Sequence, residues 1–66
     1  MVEQDYKNRL KKEFNDLEYK IQNLEAFLHS KAVDKVIKIQ RSLLIVQLDA
    51  MKTYSTCLHE RLDNLD

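Results

Sequence analysis

The two histidines of this 66-residue chain, His29 and His59, and its one cysteine, Cys57, are of types that hold metals. A closed zinc site needs about four such ligands. Cys57 and His59 are two positions apart, so on a helix they point to different sides. His29 falls at a turn, and His59 lies roughly 37 Å further along the second helix at about 1.5 Å per residue. No metal site is expected. Nucleophiles fare no better. Cys57, beside Leu58, reads as a buried thiol acting as a small hydrophobe. Ser42, Thr53 and Ser55 have no neighbouring histidine to activate them. Carboxylate pairs such as Glu13 with Asp16, or Glu60 with Asp63, suit solvated helix faces. A phosphate-cradling loop needs glycine, and the chain has none. The expectation is a non-enzymatic protein with no catalytic residue, metal or cofactor.

Two polar groupings suit binding instead. Lys31, Lys35 and Lys38, with Arg41 close by, are spaced i, i+4, i+7. On a helix that spacing sets three ammonium groups on one face, a fit for phosphate or an acidic protein surface. A solvated face that discourages aggregation is the alternative. The second grouping depends on the chain folding back on itself. If the turn lies near 31–32, residue i faces residue 63 − i. Tyr6 then approaches Cys57, Arg9 approaches Tyr54, and Arg61 lies nearby. Arginine forks bind phosphate and stack on aromatic planes, so Tyr6, Arg9, Tyr54 and Arg61 form a candidate nucleotide site. The alternative is a structural lock in which Arg9 pairs with Glu13 and the tyrosines cap the core.

The fold-back follows from the apolar pattern. Leu10, Phe14, Leu17, Ile21, Leu24 and Leu28 recur at three- and four-residue spacing. So do Leu44, Leu48, Met51, Ser55, Leu58, Leu62 and Leu65. Each set lies on one side of a helix. Continuing the first stripe lands on Lys31, Lys35, Lys38 and Ser42, which cannot form a core. The chain is therefore an all-α antiparallel helical hairpin, a single domain over 1–66. Helix 1 spans about 4–28, the turn about 29–34, and helix 2 about 34–63. Ser30 or Asp34 is suited to cap the second helix.

Leu43, Leu44, Ile45, Val46 and Leu48 cover most of the circumference of helix 2. Helix 1 can cover only one side. A second copy covering the other, as a dimeric four-helix bundle, is the expected use of these five residues. Small domains need such help, and a single cysteine allows no internal disulfide.

Composition sets outer limits. Gly and Pro are absent and 33% of residues are charged, which suits long helices. Formal net charge is zero. A duplex-DNA binder would carry a positive excess, so direct DNA binding is not expected. No apolar run approaches the roughly 20 residues of a membrane span. No signal peptide is visible, which points to a cytosol and a reduced thiol.

Residues 5–10, Asp-Tyr-Lys-Asn-Arg-Leu, with Glu13, Leu17, Ile21 and residues 24–28, form the first half of a wider pattern. Leu43, Leu44, Gln47, Met51, Tyr54, Leu58 and Arg61 form the second. Together they resemble a family of short tailed-phage proteins described as crAss-phage-related. The resemblance implies viral origin and action in the cytoplasm of the bacterial host. It supplies no activity. The leading expectation is a counter-defence inhibitor that binds a host immune protein, such as a CRISPR effector. One alternative is a sponge for a cyclic nucleotide immune signal. Another is a structural or adaptor role in phage assembly or regulation.

Overall fold

The computed structural model describes residues 2–65. It is an all-helical hairpin, with no strand among the described residues. Helix α1 runs Val2–Leu28, a short 3-10 helix runs Lys31–Lys35, and helix α2 runs Lys38–Asp63. The molecule is a rod of 48 × 15 × 14 Å. Its radius of gyration is 15.1 Å, against about 11 Å for a globular chain of this length.

The two apolar stripes meet as one seam. Leu10, Leu17 and Ile21 of α1 are buried against Leu48 and Leu58 of α2. Phe14, Leu24 and Leu28 flank them from α1, and Met51, Leu62 and Leu65 from the other side. Leu58 is the one described side chain that is wholly buried, at 0% exposure. Ser55 is the polar member of the second stripe, and it is buried too. Its hydroxyl donates to the Glu18 carboxylate, Oγ to Oε2, at 3.0 Å. A charge-assisted bond of this kind satisfies both groups in the half-dry seam. It also fixes how far the helices slide past each other. Lys52 with Glu25, at 3.0 Å, adds an exposed cross-helix ion pair.

The connection is built without glycine. No described residue has positive φ. The last carbonyls of α1 are met by side chains and a tightened turn instead. The Ser30 hydroxyl donates to the Phe27 carbonyl at 2.7 Å. His29 Nδ1 lies 2.8 Å from the Glu25 carbonyl and donates to it as the Nδ1–H tautomer. With its hydroxyl spent on Phe27, Ser30 makes no side-chain cap at the 3-10 helix it precedes. Asp34 lies inside that 3-10 helix, and Ile37 occupies the N-cap position of α2. Neither residue suited to cap α2 does so.

Helix α2 thus begins at Lys38, later than the position near 34 that the periodicity suggests. The β-branched run Val33, Val36, Ile37 disfavours α-helix there, and the chain takes the tighter 3-10 path. The longer connection shifts the register. Glu18 meets Ser55 and Phe14 meets His59, ten positions further along than 63 − i. By the same register the first turns of α2 overhang the end of α1. That accounts for a rod of 48 Å where α1 alone spans about 40 Å.

A single seam leaves little redundancy. Leu58→Ala removes the most buried side chain, which in well-packed cores costs about 2–5 kcal/mol. A 66-residue domain holds only about 3–10 kcal/mol in total. Thermal melting followed by circular dichroism should show Leu58→Ala largely unfolded at 37 °C. An unchanged melt would contradict the seam described here.

Candidate functional site

The open end of the hairpin carries the one long-range pairing of an aromatic with a cation among the described residues. Tyr6 comes from the second turn of α1 and Arg61 from the last turn of α2. Arg61 Nη2 donates to the Tyr6 hydroxyl. The guanidinium carbon also lies 5.9 Å from the Tyr6 ring centroid, a cation–π distance. The Tyr6 hydrogen bond, followed by the charge interaction with Tyr6 and a smaller one with Glu13, pushes the Arg61 guanidinium further above its ordinary pKa. Arg61 is therefore a permanent cation held by an aromatic neighbour. Both residues are exposed, Tyr6 at 48%. The bond to Tyr6 uses one of five guanidinium N–H groups.

The other two members of that grouping are elsewhere. The register carries Tyr54 level with residues near 19, about ten positions from Arg9, or roughly 15 Å along the helix. Arg9 and Tyr54 are exposed and do not meet. Cys57 does not face Tyr6, whose partner is Arg61. Nor is Cys57 the buried hydrophobe expected from its neighbours. It is exposed, because Ser55 and Leu58 take the seam positions on either side of it.

The basic row is also rearranged. Lys31 and Lys35 lie in the 3-10 helix and Lys38 is the first residue of α2. At three residues per turn, positions four apart diverge by about 120°. A break at 36–37 then separates them from Lys38. The single ammonium face that i, i+4, i+7 spacing implies is not formed. All three lysines are exposed and Arg41 is half-buried. The Arg41 Nε is buried and has no hydrogen-bond partner.

The five apolar residues of the expected oligomer interface divide. Leu48 belongs to the hairpin's own seam, and Leu44 is half-buried. Leu43, Ile45 and Val46 are exposed, as are Ile37 and Ile39 just before them.

A shallow open depression lies beside the seam, lined by Phe14, Glu18, Ser55, Thr56 and His59. Phe14 and His59 rings tilt together there at 5.9 Å. The sequence gives no sign of this cluster, because it depends on the shifted register. Glu18 is already engaged by Ser55, and an acidic depression does not suit an anion. Among the described residues no group of three or more His, Cys, Asp or Glu could hold a metal ion. None of the helices is long and apolar enough to cross a membrane.

Comparison with known proteins adds two findings. The Sequestin family matches residues 4–64. The chain is also 37% identical over 57 residues to an uncharacterized 7.5 kDa protein in the denB-rIIB intergenic region of Enterobacteria phage T4. That alignment covers 86% of this chain and 89% of the phage protein. No solved structure matches. Both sequence matches support the small-phage-protein part of the resemblance.

Stability separates a functional Tyr6–Arg61 pair from a structural lock. Exposed polar pairs contribute little to folding. Tyr6→Phe and Arg61→Ala should each leave the melting temperature within about 2 °C of wild type. Ser55→Ala, which strips the buried donor from Glu18, should cost about 1 kcal/mol and lower it by roughly 4–8 °C. A drop for Arg61→Ala as large as that for Ser55→Ala would identify the pair as a lock.

Proposed function

The chain belongs to the Sequestin family, and on that premise we propose that it is a small phage binding protein that captures a phosphate-bearing ligand. The ligand class is the cyclic nucleotides used as immune signals, held out of circulation in the host cytoplasm and not chemically altered. The family's name denotes sequestration, which is binding in stoichiometric amounts. The observation that carries the reading is the exposed Arg61 guanidinium set against the Tyr6 ring. A guanidinium fork gives paired donors to phosphate oxygens. An aromatic face beside it accepts a stacked base, as it does for single-stranded nucleic acids.

A second reading keeps the target a protein, such as a host immune effector. The exposed Ile37, Ile39, Leu43 and Val46, next to the lysines of the connection, favour it. Such a contact would weaken with added salt, since exposed charge attraction is screened within about 10 Å at 0.1 M.

Calorimetry with a panel of cyclic mono-, di- and trinucleotides tests the first reading. At least one should bind wild type with measurable heat. Arg61→Ala should weaken that binding about ten- to a hundredfold while helicity is retained. No heat from any panel member, with salt-sensitive capture of a host protein lost on reversing Lys31 and Lys35, would replace capture of a nucleotide by inhibition of a protein.

A further inference from the structure

Two acidic residues of α1, Glu18 and Glu25, are partly shielded from solvent; the other acidic side chains described are exposed. They stand seven residues apart and so share a helix face. Glu25 has its cation, Lys52 of α2, at 3.0 Å. Seven residues toward the open end on each helix, the corresponding pair is Glu18 with His59. His59 does not take the lysine's part. Its Nδ1 lies 3.4 Å from the Asp63 carboxylate, and its ring tilts at 51° against Phe14.

Glu18 is left with a neutral partner, the Ser55 hydroxyl on Oε2. The ion pairs among the described residues are Lys12–Asp16, Lys52–Glu25 and His59–Asp63, and none includes it. Lys11, on the same side of α1, stands seven residues or about 10 Å away along the helix. A partly buried carboxylate without a counter-ion is unfavourable.

Beside this carboxylate lies the open depression lined by Phe14, Glu18, Ser55, Thr56 and His59. Its volume is about 210 Å³, below the roughly 300–1,000 Å³ of a drug-sized pocket. It takes one small group and not a whole nucleotide. The lining selects that group. Thr56 donates its proton to the Lys52 carbonyl at 3.1 Å, and Ser55 donates its own to Glu18. Both hydroxyls and the remaining lone pairs of Glu18 are therefore acceptors. Phe14 and His59 add aromatic surface. The rim has the same sign as Glu18, because exposed Asp49, Glu60 and Asp63 lie on the Thr56 side of α2.

Acceptors, a negative charge and aromatic surface together fit a flat cation with several N–H donors. A guanidinium is such a group: its fork pairs with carboxylate and its plane stacks on rings. An ammonium is a strongly hydrated point charge with no plane to stack. A neutral nucleobase would leave the charge of Glu18 uncompensated.

We infer that this depression receives an arginine side chain of a bound protein, with Glu18 as its counter-ion and the Phe14 and His59 rings beside it. The depression is open, so a free cation is held weakly there. A side chain carried by a larger contact is presented at high effective concentration and is held firmly. His59 and Arg61 are two positions apart on α2 and point to different sides. Occupancy here is therefore independent of what the Tyr6–Arg61 pair binds.

Nuclear magnetic resonance titration of the wild-type chain with Nα-acetyl-arginine amide tests the site. The Phe14 and His59 ring signals should shift together, with a dissociation constant of about 1 mM. The citrulline analogue keeps the shape and loses the charge, and should bind at least tenfold more weakly. Glu18→Gln keeps an oxygen for Ser55 to donate to and should retain the helical fold, with the same tenfold loss. If that variant unfolds, the citrulline comparison on wild type decides. No shift at either ring, or citrulline bound as well as arginine, would overturn the site. Nα-acetyl-lysine amide bound as tightly as the arginine amide would overturn the guanidinium assignment. Free arginine and agmatine identify the source. Affinities like that of the amide support a protein side chain, whereas either one bound tenfold more tightly would make the ligand a small molecule and overturn the protein partner.

Discussion

Two helices make one seam, and every other property of this molecule follows from that constraint. The seam is narrow. Leu58 fills its centre, with Leu10, Leu17, Ile21 and Leu48 around it. Apolar side chains would tolerate several registers, since each helix repeats leucine at similar intervals. The Ser55 hydrogen bond to Glu18 breaks the degeneracy, because only one sliding position satisfies both polar groups. That bond decides which residues meet at the open end. It brings Arg61 to Tyr6 and takes Tyr54 away from Arg9.

A two-helix fold also leaves surface unburied. In a larger domain a third or fourth helix would cover Leu43 and Val46. Here α2 presents two stripes, one used by α1 and one free. Arg61 of the Tyr6–Arg61 pair lies on the same helix as the free stripe, at its C-terminal end. The depression beside the seam is shallow and open. Binding asks less of such a scaffold than catalysis, which must hold several groups within fractions of an ångström.

The hairpin was legible in the sequence because its cause is local. Each member of both stripes, Leu10 through Leu28 and Leu44 through Leu65, lies in or against the seam, or is half-buried beside it. The register was not legible. It depends on whether 31–35 continue as α-helix or tighten to a 3-10 path, and residues such as Lys31, Ala32 and Asp34 do not decide that alone. Everything drawn across the seam inherited the difference. Arg9 lost Tyr54, Tyr6 exchanged Cys57 for Arg61, and the lysine row lost its common face. Cys57 also shows the limit of reading burial from neighbours, since a residue beside Leu58 on a helix is turned about 100° away from it. The Phe14–His59 contact had no local signal at all.

The most direct test of capture at the open end of the hairpin is a nuclear magnetic resonance titration of the isotopically labelled wild-type protein with each cyclic nucleotide of the panel. The Arg61 Nε–H and the Tyr6 ring should shift together along one saturating curve. Shifts absent from both would contradict capture at this end of the hairpin.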